Sequence, residues 1–547
     1  MNLGKRLEEE VLVFDGATGT MLQGLGLPAG HCPDAWCLEE PAMVASVHER
    51  YVEAGAQIVE TNTFGATPVR LSHYGLQDRV RDINLAAVRI AREAVAGRAM
   101  VAGSMGPLGV MVEPLGDVSF DMAYREFAAQ AGAFGEARPD FIIIETIGDL
   151  NEIRAAILAC RDRAPGIKII AQMTMGADGR TFTGTDPETT GLVLQSLGAD
   201  VIGFNCSVGP DSLLGAIERI RRVARVPVSV QPNAGMPVLE PDGRTTFPMG
   251  PEEFASYGPG LVEAGAVIVG GCCGTTPDHI RCLRKAVEGL RPRRDPSPLG
   301  RAFGLASRTQ SLFVVGRGGE CAAPGAERAT VGPDAAGPAC AATAVIGGRL
   351  DPSRREDLAA DMREGRFSLF KKEAREQVAA GAQVLAISAG APGMEEVSAM
   401  ERAVRVAQRT VRVPLFLRSS SVEVLEAGLK AVVGKCLVGP LTPAHPRAEA
   451  VLAVARRYGA AVVGITIDDG GGPSFAGRLP ETARRLVDAA VANGIPAWDV
   501  AIEPVIAVGE DRAEALSKFG AIQRELGFRA CSGAFEGLDR VVIDLEV

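Results

Sequence analysis

The sequence predicts an α/β protein made of two tandem (β/α)8 barrels of the TIM type, the second incomplete at its C-terminus. Three observations carry this. The chain has 547 residues, too many for one hydrophobic core and enough for two to four domains. Short apolar runs alternate with amphipathic helical stretches twice along the chain, as in parallel sheets covered on both faces. Composition agrees: hydrophobic residues are 47%, charged residues 23%, aromatics only 5%, and there are 65 glycines for tight strand–helix turns.

In the first half the apolar runs are "VLVFDG" (11–16), "AQIVETNTF" (56–64), "MVAGSMGP" (100–107), "FIIIET" (141–146), "KIIAQMTM" (168–175), "VIGFNCS" (201–207), "VPVSVQPNAG" (226–235) and "AVIVGGCCG" (266–274). Amphipathic segments such as "DPETTGLVLQSLGA" separate them. Eight units within about 280 residues favour a closed barrel over an open doubly wound sheet. Residues 1–290 are therefore expected to form the first domain. From 291 to 340 the pattern gives way to Gly, Ala, Pro and Arg, which predicts a partly disordered linker. Residues 341–547 then repeat the alternation, from "ATAVIGG" (342–348) to the terminal "VVIDLEV". About seven residues separate that last run from "ACSG", too few for a helical crossover of at least about 10–12. The second barrel is thus expected to stay open or to close irregularly.

Net charge is −10, so no nucleic-acid footprint is expected. The charged start "MNLGKRLEEE" lacks a signal peptide's apolar stretch, and no apolar run reaches the roughly 18 residues of a membrane span. The expected location is the cytoplasm.

Adjacent Cys272 and Cys273 sit within "GGCCGTTPDH". Neighbouring Cα atoms lie about 3.8 Å apart, below the usual disulfide range of roughly 4.4–6.8 Å. In a barrel, functional residues gather at the C-terminal ends of the strands. Cys206 ends the sixth strand and Cys272 and Cys273 end the eighth, so the three sulfurs can face one point. Consecutive strand residues point to opposite sides, so Gly270, Gly271 and Gly274 are needed to bend the chain. Three thiolates suit zinc with an open fourth position, and a soft donor such as a substrate thiol suits that position. The alternative is three cysteines that merely pack. His279 is expected to cap or pack on the next helix. His31, Cys32 and Cys37 in "HCPDAWC" are read as structural or incidental. Cys160, Cys282, Cys340 and Cys436 are read as ordinary buried or linker cysteines.

Around the same mouth, "DGATGT" brings Asp15, Gly16, Ala17, Thr18 and Gly19 into a turn that serves either as a carboxylate-binding nest or as a plain capped βα turn. Glu145 ends a wholly apolar strand, where it can hold an ammonium. Asn62, Asn205 and Asn233 also fall at strand ends and can hydrogen-bond a small polar ligand. Together these grips describe a thiol amino acid.

At this point the motifs "DGATGTML", "ETNTFGAT", "GPLG", "TGTDP", "GFNCSVGP", "QPNAG" and "GGCCGTTPDHI" resemble the homocysteine-binding zinc domain of cobalamin-dependent methionine synthase and of the betaine– and S-methylmethionine–homocysteine methyltransferases. The resemblance covers about residues 8–290. It implies zinc on Cys206, Cys272 and Cys273, homocysteine thiolate as nucleophile, and Glu145 with the Asp15–Thr20 loop at the amino-acid end. It implies no catalytic residue beyond the zinc site.

The second half resembles the methyltetrahydrofolate-binding barrel of the same enzymes, in "GAQVLAIS", "VPLFLRSSSVEVLEAGLKAVVGKCLV" and "RRYGAAVVGITIDD". Its site positions depart from that family: Gly348, Asp351, Ala386, Ser388, Arg418 and Gly439 replace pterin-gripping residues. Each lost buried partner costs about 1–3 kcal/mol, so methyltetrahydrofolate is not expected to bind. No cobalamin-binding module is seen, so methylcobalamin is expected as a donor in trans, on a separate corrinoid-binding protein. Two other functions remain open at this stage: methyl transfer from betaine or S-methylmethionine, and a non-enzymatic scaffold with structural zinc.

Overall fold

In the computed structural model, residues 3–239, 245–293, 295–315, 339–341, 343–442, 446–467, 478–504, 512–532 and 540–544 are described. The chain divides into two compact units, Met1–Ser297 and Pro298–Val547.

The first unit is a parallel barrel. Its strands are β1 (Leu12–Val13), β2 (Ile58–Glu60), β3 (Met100–Met105), β4 (Phe141–Ile147), β5 (Lys168–Met173), β6 (Val201–Asn205), β7 (Val228–Gln231) and, after a small ribbon of β8 (Val238–Leu239) with β9 (Thr245–Thr246), β10 (Ala266–Val269). The barrel order is β1-β10-β7-β6-β5-β4-β3-β2. A parallel bridge between Phe14 and Ile58 joins its ends, with Asp15 N donating to Ile58 O at 3.0 Å. Buried Phe141–Ile144 shows why the strands read as continuous apolar runs. Helix starts follow local chemistry: Ser119, Asp149 and Asp186 cap helices Phe120–Ala137, Leu150–Arg163 and Pro187–Leu197. Leu7, from the N-terminal helix Leu3–Glu9, packs with Leu12, Ile58, Phe141 and Ile268. The floor is therefore filled, and only the opposite end, where the strands finish, can hold a site.

The second unit also closes. Its strands are β14 (Ala344–Leu350), β15 (Val384–Ile387), β16 (Leu415–Arg418), β17 (Leu437–Leu441), β18 (Ala461–Ile465), β19 (Val500–Glu503), β20 (Arg529–Ser532) and β21 (Arg540–Asp544), joined as a closed barrel. The closure is irregular, as the short last connection implied. β21 runs antiparallel to both β20 and β14, because an antiparallel return needs no helical crossover.

Part of the stretch expected to be a linker forms strands. Before β14 lie β11 (Phe303–Ala306), β12 (Ser311–Val314) and β13 (Ala339–Ala341). β11 and β12 pair antiparallel. Phe303, Leu305, Leu312 and Val314 pack against Ala344, Val384, Phe416, Leu437 and Ala501, sealing the floor of the second barrel. Apolar "FGLA" and "SLFV" were hidden among the Pro- and Arg-rich residues around them. Residues 316–338 of the expected linker lie outside the described residues. No described helix is long and apolar enough to cross a membrane.

Candidate metal centre

Cys206 follows β6, and Cys272 and Cys273 follow β10. Their ligand atoms all lie within 4.8 Å of one another, the one such cluster among the described residues. The Cys206 and Cys273 sulfurs are 3.7 Å apart. Thiolates about 2.3 Å from a tetrahedral zinc stand about 3.8 Å apart, so the spacing fits that ion. The charge balance agrees. Hydrogen bonds from Cys272 and Cys273 draw the Cys206 thiol down to about 3. The bond to Cys206 pushes Cys272 upward and Cys273 up to about 12. The neighbouring thiols thus favour a thiolate at Cys206, and a cation among the three would favour ionisation of the others.

Backbone geometry holds the sulfurs there. Cys206 and Ser207 adopt φ of 61° and 62°, a left-handed conformation that is costly for non-glycine residues. The cysteine turn needs its glycines: a Cβ on Gly271 would lie 2.4 Å from Thr275 Oγ1, and Gly274 has φ +79° with Phe247 2.3 Å from where its Cβ would be. His279 is no ligand. Its Nδ1 faces Thr276 N at 3.2 Å and its Nε2 faces Met249 O at 3.0 Å, so it caps helix Pro277–Ala286.

The sulfurs line a cavity of about 280 Å³ together with Gly16–Thr20, Glu60, Asn62, Arg70, Ser104, Glu145 and Thr146. Glu145 accepts hydrogen bonds from Ser104 Oγ at 2.6 Å and Asn205 Nδ2 at 3.0 Å. Burial pushes its carboxyl up to about 7.

A protein-family model described as homocysteine S-methyltransferase matches residues 12–287. The chain belongs to the homocysteine S-methyltransferase family. A model described as pterin binding enzyme matches residues 362–534. The chain is 31% identical over 549 residues to a methionine synthase of Mycobacterium tuberculosis and 29% identical over 557 residues to one of Mycobacterium leprae. These alignments cover 95% and 96% of this chain but 44% of each relative, so the chain spans less than half their length. Among solved structures it resembles the metallated form of the homocysteine methyltransferase MmuM from Escherichia coli, at 24% identity and a TM-score of 0.45, covering 52% of this chain and 98% of that one.

In this homocysteine S-methyltransferase barrel, the other residues singled out from sequence fall into two groups. Gly16, Ala17, Thr18 and Gly19 line the cavity with Glu145 and Asn62, although Asn62 Nδ2 is engaged with Pro33 O at 2.7 Å. Asp15, Asn205 and Asn233 are turned into the wall. Asn205 accepts from Thr146 N at 2.7 Å and so fixes the end of β4 beside Glu145. Asp15 Oδ2 accepts from Glu60 N at 2.9 Å. Asn233 is buried and bonds Cys206. The "HCPDAWC" loop is structural: Cys37 Sγ donates to Asn62 O at 3.3 Å and Asp34 Oδ1 accepts from Gly65 N at 2.9 Å, stapling the loops after β1 and β2. Cys160 and Cys436 are buried thiols and Cys282 is a half-buried one. Cys340 departs from the expectation, being disulfide-bonded.

Four residues of the wall escaped the sequence reading. Thr275 Oγ1 accepts from Ala17 N at 3.2 Å and donates to Cys272 O at 2.7 Å, tying the first loop to the cysteine turn. Tyr51 OH donates to Ala17 O at 3.2 Å. Ser104 holds Glu145. Glu60 ends β2 as Glu145 tops the apolar run of β4, the same signature of an apolar run closing on a carboxylate.

In the second barrel, Ala386 packs in the core and Gly439 sits at φ +142°. Asp351 accepts from Ser353 N at 3.1 Å and lies 3.7 Å from Arg418 Nη1. Two replacements at the strand ends therefore face each other, and burial holds the Arg418 guanidinium below its ordinary pKa. Gly348 lies within β14, and Ser388 N, just past β15, donates to Leu350 O at 3.1 Å.

Proposed function

We propose that the chain is a zinc-dependent homocysteine S-methyltransferase of the methionine synthase type, whose methyl group comes from a corrinoid carried on another protein. The observation that carries this is the cluster of three sulfurs within 4.8 Å of one another, opening into a cavity with a buried carboxyl at its side. A zinc ion on Cys206, Cys272 and Cys273 supplies Lewis acidity, which keeps a thiol ionised at neutral pH. The chain's own groups orient the substrate. Glu145, held by Ser104 and Asn205, accepts from the substrate ammonium. The Gly16–Thr20 backbone and the Arg70 cation face its carboxylate end. Similarity to curated methionine synthases across both halves supports the corrinoid as donor. The absence of any membrane-spanning helix among the described residues is compatible with a cytoplasmic location.

We also propose that the second barrel does not hold methyltetrahydrofolate, because Arg418 and Asp351 occupy each other at its strand ends. The deciding experiment is methionine formation from homocysteine by zinc-loaded protein, comparing methylcobalamin, betaine and S-methylmethionine. Activity with methylcobalamin alone is expected. Activity only with betaine or S-methylmethionine replaces the donor, and no activity with any of the three leaves a scaffold.

A further inference from the structure

Glu60 has no part in the reading so far. It ends β2 and lines the same cavity as the three cysteines and Glu145. Its Oε1 accepts from Gln231 Nε2 at 2.7 Å, from the end of β7. Its carboxyl is a hydrogen-bonding neighbour of the Glu145 carboxyl. Asp15 lies directly behind, and its buried Oδ1 has no hydrogen-bond partner.

Three carboxyls thus meet at one side of a cavity. Besides that carboxyl–carboxyl contact, the side-chain donors shown for them are the neutral Gln231, Ser104 and Asn205. No lysine or arginine among the described residues bonds or pairs with any of them. Buried carboxylates usually have a positive partner, and Arg70, the cation that lines this cavity, is not bonded to any of these three. A cationic group on a ligand in this cavity would meet acceptors here that no residue's cation occupies. A primary ammonium presents three donors in a compact tetrahedral head, which two facing carboxyls receive better than one.

We propose that Glu60 is a specificity-determining residue that forms, with Glu145, a two-carboxylate clamp for the ammonium of the thiol substrate. The substrate class is then a short thiol with a free primary amine, and thiols of equal length without the amine are rejected. This rests on the proposed homocysteine site and adds Glu60 to it.

The test is calorimetric binding to the zinc-loaded full chain with two probes: homocysteine, and 4-mercaptobutyrate, which keeps thiol and carboxylate but lacks the amine. Wild type is expected to prefer homocysteine. Glu60→Gln keeps the shape and the bond to Gln231 but removes the charge. It should weaken homocysteine about tenfold, the scale of one charge-assisted bond, and leave 4-mercaptobutyrate unchanged or tighter, with zinc content unaltered. Glu60→Asp retains the charge one methylene further back and should give an intermediate ratio. It also serves if Glu60→Gln fails to fold. Equal weakening of both probes assigns Glu60 a structural role and overturns the clamp. So does a ratio equal to wild type's in both variants. Wild type binding neither probe overturns the homocysteine site itself, a result distinct from the loss of Glu60's part alone.

Discussion

Cys272 sits at the centre of the site's economy of charge. Its sulfur is 3.9 Å from Asn205 Nδ2, and its carbonyl anchors Thr275. Cys272→Ala should leave two sulfurs, too few to hold zinc tightly. Elemental analysis should find the metal lost while circular dichroism stays that of a folded barrel. Full occupancy in that variant would remove Cys272 from the ligand set. Away from the centre, Glu152 accepts from Leu108 N at 2.7 Å, and burial pushes its carboxyl up to about 7. Its folded pKa lies above the ordinary value, so the folded state binds the extra proton. The stability it contributes is complete below about pH 4 and drains as pH rises towards 7, by at most ~3 kcal/mol. Glu152→Gln keeps the acceptor and should flatten that slope in urea titrations between those pH values. At this scale the cysteines and Glu145 were legible, because a reactive side chain at the end of an apolar run declares itself. Thr275 and Tyr51 were not. Thr275 meets Ala17 across 258 positions, and nothing in a lone hydroxyl announces such a partner.

Among elements, the hairpin of β11 and β12 shows what hydropathy misses. Two apolar runs of four residues each were outweighed by the glycines and prolines around them. Phe303 is fully buried at the floor of the second barrel. Phe303→Ala should cost about 3–5 kcal/mol in the second unit. Chemical denaturation should show one transition moving and the zinc content of the first unit unchanged. An unaltered transition would mean that the hairpin is a passenger. The strands of both barrels were legible for the opposite reason, since a parallel strand buried on both faces has no polar positions to blur it. The direction of β21 was not legible. Apolar runs record burial but not orientation, and only the length of the preceding connection hinted at the antiparallel return.

For the molecule as a whole, one fold is used twice with different chemistry at the strand ends. The first barrel opens onto thiols and carboxyls, while the second presents Arg418 facing Asp351. Calorimetry with methyltetrahydrofolate on the full chain should show no binding in the micromolar range, where association is worth about 8 kcal/mol. Binding at that strength would mean that other residues have rebuilt the site.

The contact between Arg418 and Asp351 also couples the two positions to each other. Replacing Arg418 by an acid would set two carboxyls against each other. Replacing Asp351 by a neutral amide would take one carboxylate away from a guanidinium that burial already disfavours. The two positions are therefore expected to tolerate change together better than singly.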